Sequence, residues 1–354
     1  VVDSAALRNA VEADVDRTNR PAAGLVLYDL RFHLLDLVAI ASEIEVLRRE
    51  FIKNILRLTA AAPTFTAPAR WVGVERSQTI MPKPSAKSAS FINLLSAPIE
   101  LAGDWGHMLP RSVELVVARM RLACLDGVRL VSDRQPTRVR VDEHSTGQPA
   151  IWLHPDASNM AWIIVDIGER DWSKLAYQFG HELGHVFANS WQADARPATP
   201  CQWLEEAMVE AFSLRGLGRL ATDWKDNPPF AGDNAFGGAI AEYRQNIIGG
   251  YSALADSQSL TRDATAWFAD HRREIEAPGL NPFAQAMSLT ILAEYDRVPD
   301  CVEALGALNR WPRRSGIPLG EYLQRWQQSC AELKASRHLP LRLGELLGVR
   351  PRSK

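Results

Sequence analysis

Hydrophobic and polar positions divide the chain into stretches of different period. Between residues 25 and 58 a dense apolar series (Leu25, Leu27, Leu30, Leu34, Leu37, Val38, Ile44, Leu47, Phe51, Ile55, Leu58) is interrupted by Asp29, Arg31, Asp36, Glu43, Glu45, Arg48, Arg49 and Glu50. The charges recur too often for a membrane span, which needs about 20 nearly uncharged residues. An amphipathic helix packed into the protein's own core is expected instead. From 61 to 110 the pattern breaks into Ala61-Ala62-Pro63, Ala67-Pro68 and Met81-Pro82-Lys83-Pro84-Ser85, read as irregular connection and a first domain boundary. Helical spacing returns over Arg111–Leu125, and short β-branched runs at Val128–Val131, Thr137–Val141, Ile151–Leu153 and Met160–Ile167 predict strands.

Beyond Gly216-Leu217-Gly218 almost everything has helical spacing. Segments near 235–249, 260–277, 281–296, 299–309, 319–335 and 340–348 are separated by Asn227-Pro228-Pro229, Pro278-Gly279, Asn281-Pro282 and Trp311-Pro312. No internal repeat is visible. The pattern as a whole predicts an α+β protein, mostly helical, divided at 1–60, 61–110, 111–218 and 219–354, with a small mixed sheet in the third part and an all-helical C-terminal subdomain.

Two helices in the third part carry candidate chemistry. The first starts after Asp171, an N-cap candidate. At 100° per residue it groups Leu175, Phe179, Leu183 and Val186 on one side, with His181 and His185 opposite beside Gln178 and Ala188. His181-Glu182-Leu183-Gly184-His185 is an HExxH motif, which places both imidazoles one turn apart to close on a single zinc ion with Glu182 beside the open position. A lone histidine here would read as a core residue satisfying hydrogen bonds. Only eight histidines occur in 354 residues, so two at this spacing around a glutamate favour a metal.

A catalytic zinc site takes three protein ligands and leaves one position to water. After Arg196-Pro197-Ala198-Thr199-Pro200, a second helix buries Leu204, Met208, Ala211 and Phe212, leaving Trp203, Glu206, Glu210 and Ser213 to share the other face. Glu206 is the expected third ligand. Glu210, one turn on, is placed to accept the free ring N–H of a zinc-bound histidine. Glu205 points about 100° away from Glu206 by helical geometry. The competing reading of these acids is an ordinary solvated helix face.

Residues 160 to 213 resemble the gluzincin zinc metallopeptidases, in which HExxH is followed by a helix of the type Trp-Leu-x-Glu; here that helix is Trp203-Leu204-Glu205-Glu206. The resemblance implies a zincin-like fold, Zn2+ held by His181, His185 and Glu206, Glu182 as general base, and a peptide or protein substrate. Ala207 stands where the family often has glycine. The late oxyanion donor of that family has no clear motif here. His271 is a candidate by its distance along the chain, with Tyr243, Tyr251 and Tyr295 as rivals; beside Arg272 and Arg273, His271 also reads as an exposed residue of a charged helix. The HELGH segment with Glu210-Ala211-Phe212 is also similar to regulatory peptidases of the ImmA/IrrE type. The two function classes are therefore a zinc peptidase and, as the alternative, a non-catalytic zincin-like binding or regulatory protein.

Composition narrows the partners. Hydrophobic residues make up 46% of the chain, ample for a large core, and the formal net charge is -2. No basic block suggests a surface that tracks phosphates, so nucleic acid is not an expected partner. Cys124, Cys201, Cys301 and Cys330 lack CxxC spacing and read as buried small hydrophobes, with a Cys301–Cys330 disulfide open to a secreted protein. The chain begins at Val1 rather than Met, so a processed or trimmed protein is expected, and no signal peptide is visible in what remains; the compartment stays open, with a soluble cytoplasmic protein slightly favoured over a secreted one. Oligomeric state is not readable from the sequence.

Overall fold

The computed structural model describes residues 93–349 except 107, 130–131, 145–148, 154–158, 168–170, 193–194, 231 and 279–280. All of these lie within the unit running from Pro84 to Lys354. The amphipathic series at 25–58 falls outside the described residues.

A short helix α1 (Asn93–Ser96) leads into strand β1 (Ile99–Gly103), helix α2 (Pro110–Leu125), strands β2 (Arg138–Glu143), β3 (Ala150–Ile151) and β4 (Met160–Val165), and then the motif helix α3 (Trp172–Phe187). The sheet has the order β1-β2-β4-β3, with β1, β2 and β4 parallel and the short β3 antiparallel at one edge. Val139, Val141, Ile163 and Val165 are buried, because alternate residues of the strands meet the helical layer. The molecule is thus mostly helical with a small mixed four-stranded sheet.

Two expectations change here. β1 lies inside the stretch predicted as irregular connection, yet it pairs with β2 in register from Ile99 with Val139 to Gly103 with Glu143. The sheet therefore begins before residue 111. Val128 and Arg129, predicted to open a strand, are irregular; they follow Gly127, whose φ of 75° ends the helical segment in a left-handed turn.

Helix α4 (Gln202–Asp226) forms the centre, packed against α2, α3, α5 (Ala235–Ser257) and α7 (Pro282–Arg297). It runs unbroken through Gly216-Leu217-Gly218, where the sequence suggested a boundary at 218. A side chain at 216 would overlap Cys124 Sγ of α2, so Gly216 serves close helix packing rather than a chain break. Nor is there a solvated face at its start: Trp203, Glu210 and Ser213 are all buried. Phe179 and Phe187 of α3 and Phe212 of α4 are fully buried, each contributing about 1.5–3 kcal/mol by leaving water. Buried Arg215 donates to the carbonyls of Cys124 and Asp126 at 2.9 and 2.7 Å, satisfying acceptors left open at the end of α2.

The rest follows the predicted helical segments: α6 (Ala264–Ile275), α7, a 3-10 segment (Pro299–Ala307), α8 (Leu319–Leu333) and α9 (His338–Leu346). Asp263 caps α6, and Asn281 with Pro282 at the first turn starts α7. The four cysteines are buried and free, so Cys301 and Cys330 are not joined. Among the described residues no helix is long and apolar enough to cross a membrane.

Candidate metal centre

Helix α3 begins where the sequence placed it, with the Asp171 carboxylate accepting from Lys174 N at 3.0 Å. Gln178 ties the helix to the sheet by accepting from Asp166 N at 2.9 Å. Its exit is held as firmly: Asn189, with φ of 65°, donates to the carbonyls of Gly306 and Leu308 at 3.0 and 2.7 Å. The histidines therefore stand on a helix fixed at both ends.

Helices α3 and α4 meet at Gly184. An added Cβ there would come within 2.8 Å of Val209 Cβ and 3.2 Å of Phe212 Cδ1, so only glycine permits this approach. The two helices run in opposite directions at this contact, since His185 meets Glu205 and His181 meets Glu210. Glu206 lies between them. Its Oε2 is 3.4 Å from the Nε2 of both imidazoles, and the ligand atoms of His181, His185 and Glu206 all lie within 4.8 Å of one another.

The donor set fits a zinc-sized ion. Donors about 2.0–2.1 Å from one tetrahedral centre stand roughly 3.3 Å from each other. The two nitrogen–oxygen separations match that spacing. Each Nδ1–H is taken by a separate carboxylate at 2.8 Å, Glu210 for His181 and Glu205 for His185, which turns both Nε2 lone pairs inward. No lysine or arginine occurs among the described residues lining this cleft, although Glu182, Glu206 and Glu210 all do. His181, His185 and Glu206 together could hold a metal ion.

Further bonds hold the outer carboxylates. Tyr177 OH donates to Glu210 at 2.7 Å and lies 3.3 Å from Tyr251 OH. Asn309 donates to Glu205 at 2.7 Å and to the carbonyl of Ala188, joining the end of α3 to the chain after the 3-10 segment. Burial pushes the phenols of Tyr177 and Tyr251 upward, reinforced by the Glu210 charge, so both remain donors. Burial likewise raises Glu182, with His181 and His185 pulling the other way. Without a metal, burial opposes charge on His181, but the hydrogen bonds it donates to Glu206 and Glu210 prevail and push it up to about 10. Burial would raise Glu206; the facing imidazoles, His185 foremost, hold it well below the carboxylate range instead.

The cleft, about 600 Å³, has walls from both halves of the chain: Ala150 and Ile151 of β3, the helices α3 and α4, Tyr251 of α5, and Asn281, Ala284 and Gln285 at the start of α7. His271 does not line it. The buried stripe of α6 is Trp267, Phe268 and Ile275, and His271 packs its ring against Phe283 at 5.1 Å instead. Of its rivals, Tyr251 lines the cleft, Tyr295 is fully buried in the core, and Tyr243 packs edge-on against Tyr177.

Sequence reasoning missed Glu205 and Asn309. Glu205 was set aside because it lies a third of a turn from Glu206; in the fold that offset places it under the second imidazole. Comparison of the chain with protein-family models, curated proteins and solved structures finds no significant match in any of the three.

Proposed function

We propose that the protein is a zinc-dependent peptidase of the HExxH type, with the gluzincin-like ligand set His181, His185 and Glu206. The single observation that carries this reading is the meeting of those three side chains beside Glu182 in an open cleft with no lysine or arginine among its described lining residues. When bound, zinc supplies a Lewis acid that brings the pKa of water to about 7 and polarises the scissile carbonyl.

The chain's own residues do the rest. Glu182, raised by burial, takes a proton from the attacking water and passes it to the amine nitrogen as the peptide C–N bond breaks. Glu205 and Glu210 keep the two imidazoles oriented throughout. Tyr251 lines the cleft with its phenol kept protonated, which supports it over His271 as the donor to the oxyanion. The edge strand β3 offers main-chain groups to an extended peptide lying antiparallel to it, a grip independent of most side chains.

Digestion of an unbiased peptide library, read by mass spectrometry, tests this. Zinc-loaded protein should cleave peptide bonds, and Glu182→Gln should keep its zinc while turnover falls by about a hundredfold or more. Zinc retained with no cleavage of any peptide would move the reading to a binding or regulatory scaffold.

A further inference from the structure

Between α3 and α4 the irregular segment 195–198 separates two cavities. Ala195 and Pro197 line the metal cleft, whereas Arg196 and Ala198 line a neighbouring cavity of about 550 Å³. That alternation is what an extended stretch produces, with successive side chains pointing to opposite sides. The two cavities differ sharply in charge. The second is bordered by Arg134, Arg196, Arg313 and Arg314 around Trp311, with no carboxylate among its described lining residues.

The guanidinium groups of Arg134, Arg313 and Arg314 are each held by a hydrogen bond to a backbone carbonyl, while that of Arg196 is exposed. Arg134 is anchored through its N–H to Ser132 Oγ at 3.0 Å and through its carbonyl, which accepts from the Trp191 indole at 3.1 Å; its side chain donates to the carbonyl of Arg310. Arg313 donates to the carbonyl of Gly316 at 3.0 Å. Both of those acceptors are neutral and leave the cationic charge in place. Among the described residues Arg196 and Arg313 have no carboxylate partner, while Arg134 lies within electrostatic reach of Asp133, which pairs with Arg310. Planar guanidinium forks gathered around one cavity match a carboxylate, which they can bind through paired N–H groups. An acidic side chain is repelled from the cleft itself by Glu182, Glu206 and Glu210.

We propose that this arginine-lined cavity is a recognition subsite for a carboxylate side chain of the polypeptide whose scissile bond lies in the adjoining cleft. The proposal rests on the peptidase reading for the identity of the ligand, not for the existence of the anion site.

The test is fluorescence anisotropy with labelled peptides containing Glu or Asp and their Gln or Asn counterparts. It uses the full-length zinc-loaded protein carrying Glu182→Gln, so that no peptide is consumed. Binding is compared with that of the same protein further substituted Arg196→Gln and Arg313→Asn. Asparagine suits position 313, where φ is 63°. Acidic peptides should bind about tenfold more tightly than their amides at low salt, lose that advantage as salt rises, and lose it in the arginine variant while neutral-peptide affinity and zinc content hold. Equal affinity for the two peptide sets, or a preference that survives the variant, overturns the subsite. If the arginine variant fails to fold, Arg134→Gln should weaken acidic peptides selectively, and no change there overturns it equally. Cleavage by the unsubstituted protein is read in parallel. An arginine-dependent acid preference without cleavage upholds the subsite and removes the peptidase reading, whereas cleavage with no acid preference does the reverse.

Discussion

A zinc ligand is only as good as the group behind it. Glu205 and Glu210 each take one Nδ1–H at 2.8 Å, and Asn309 and Tyr177 hold those carboxylates in turn. Replacing Glu205 or Glu210 by glutamine should lower zinc affinity by about 10- to 100-fold, measured by competition with a chromophoric chelator; unchanged affinity would remove them from this role. The pH dependence has a definite sign. In the metal-free protein His181 is pushed up to about 10, so its charged form adds stability below the ordinary imidazole range, and that contribution fades as pH rises through 10. Zinc must displace the proton. Affinity should therefore rise with pH, and zinc binding at neutral pH should release protons, seen as heats that differ between buffers of different ionisation enthalpy. Heats independent of buffer would contradict a protonated His181. At this scale His181, Glu182 and His185 were legible, because HExxH spacing is local and any helix enforces it. Glu206 followed from a projection of the next helix. Glu205 did not, since its partner is decided by how α3 and α4 cross, which no single-helix projection contains.

The crossing of those two helices hangs on Gly184. A methyl group there must displace Val209, which lies between Glu206 and Glu210 along α4, and Phe212, two residues beyond Glu210. Gly184→Ala should cost about 1–3 kcal/mol of stability through overpacking, seen as an earlier midpoint in denaturant, and should weaken zinc binding by moving α4 away from His185. Stability and zinc affinity both unchanged would show that the helices have room to spare. The helices themselves were largely readable: α5 to α9 fall on predicted segments, punctuated by Asp263, Asn281 and Pro282. Strands were less so. Ile99–Gly103 offers only Ile99 and Leu101 as an apolar alternation, and it is a strand because β2 pairs with it; Val128 and Arg129 follow a left-handed glycine and join no strand, the Arg129 N–H going instead to the Glu303 carboxylate. Gly216-Leu217-Gly218 misled for a related reason. Glycine marks both chain breaks and close helix contacts, and only the neighbour, here Cys124, separates the two.

Across the whole molecule, the cleft is assembled from parts distant in sequence: β3 at residue 150, the motif helices, Tyr251, and the first turn of α7 near residue 281. The fold class was accessible from periodicity. The wall residues were not, which is why His271 was chosen by its separation along the chain while Tyr251, one of its named rivals, is the residue that reaches the cleft. What would unite these parts, on the proposed reading, is a cation held by two imidazoles and one carboxylate, His181, His185 and Glu206. Metal content per polypeptide, determined by atomic emission on protein purified without chelator and exposed to zinc, tests that claim most directly. The account predicts one zinc per chain in the wild type and in Glu182→Gln, and almost none in His185→Ala. A wild type without stoichiometric zinc, or a His185→Ala variant that binds it as tightly as the wild type, would contradict it.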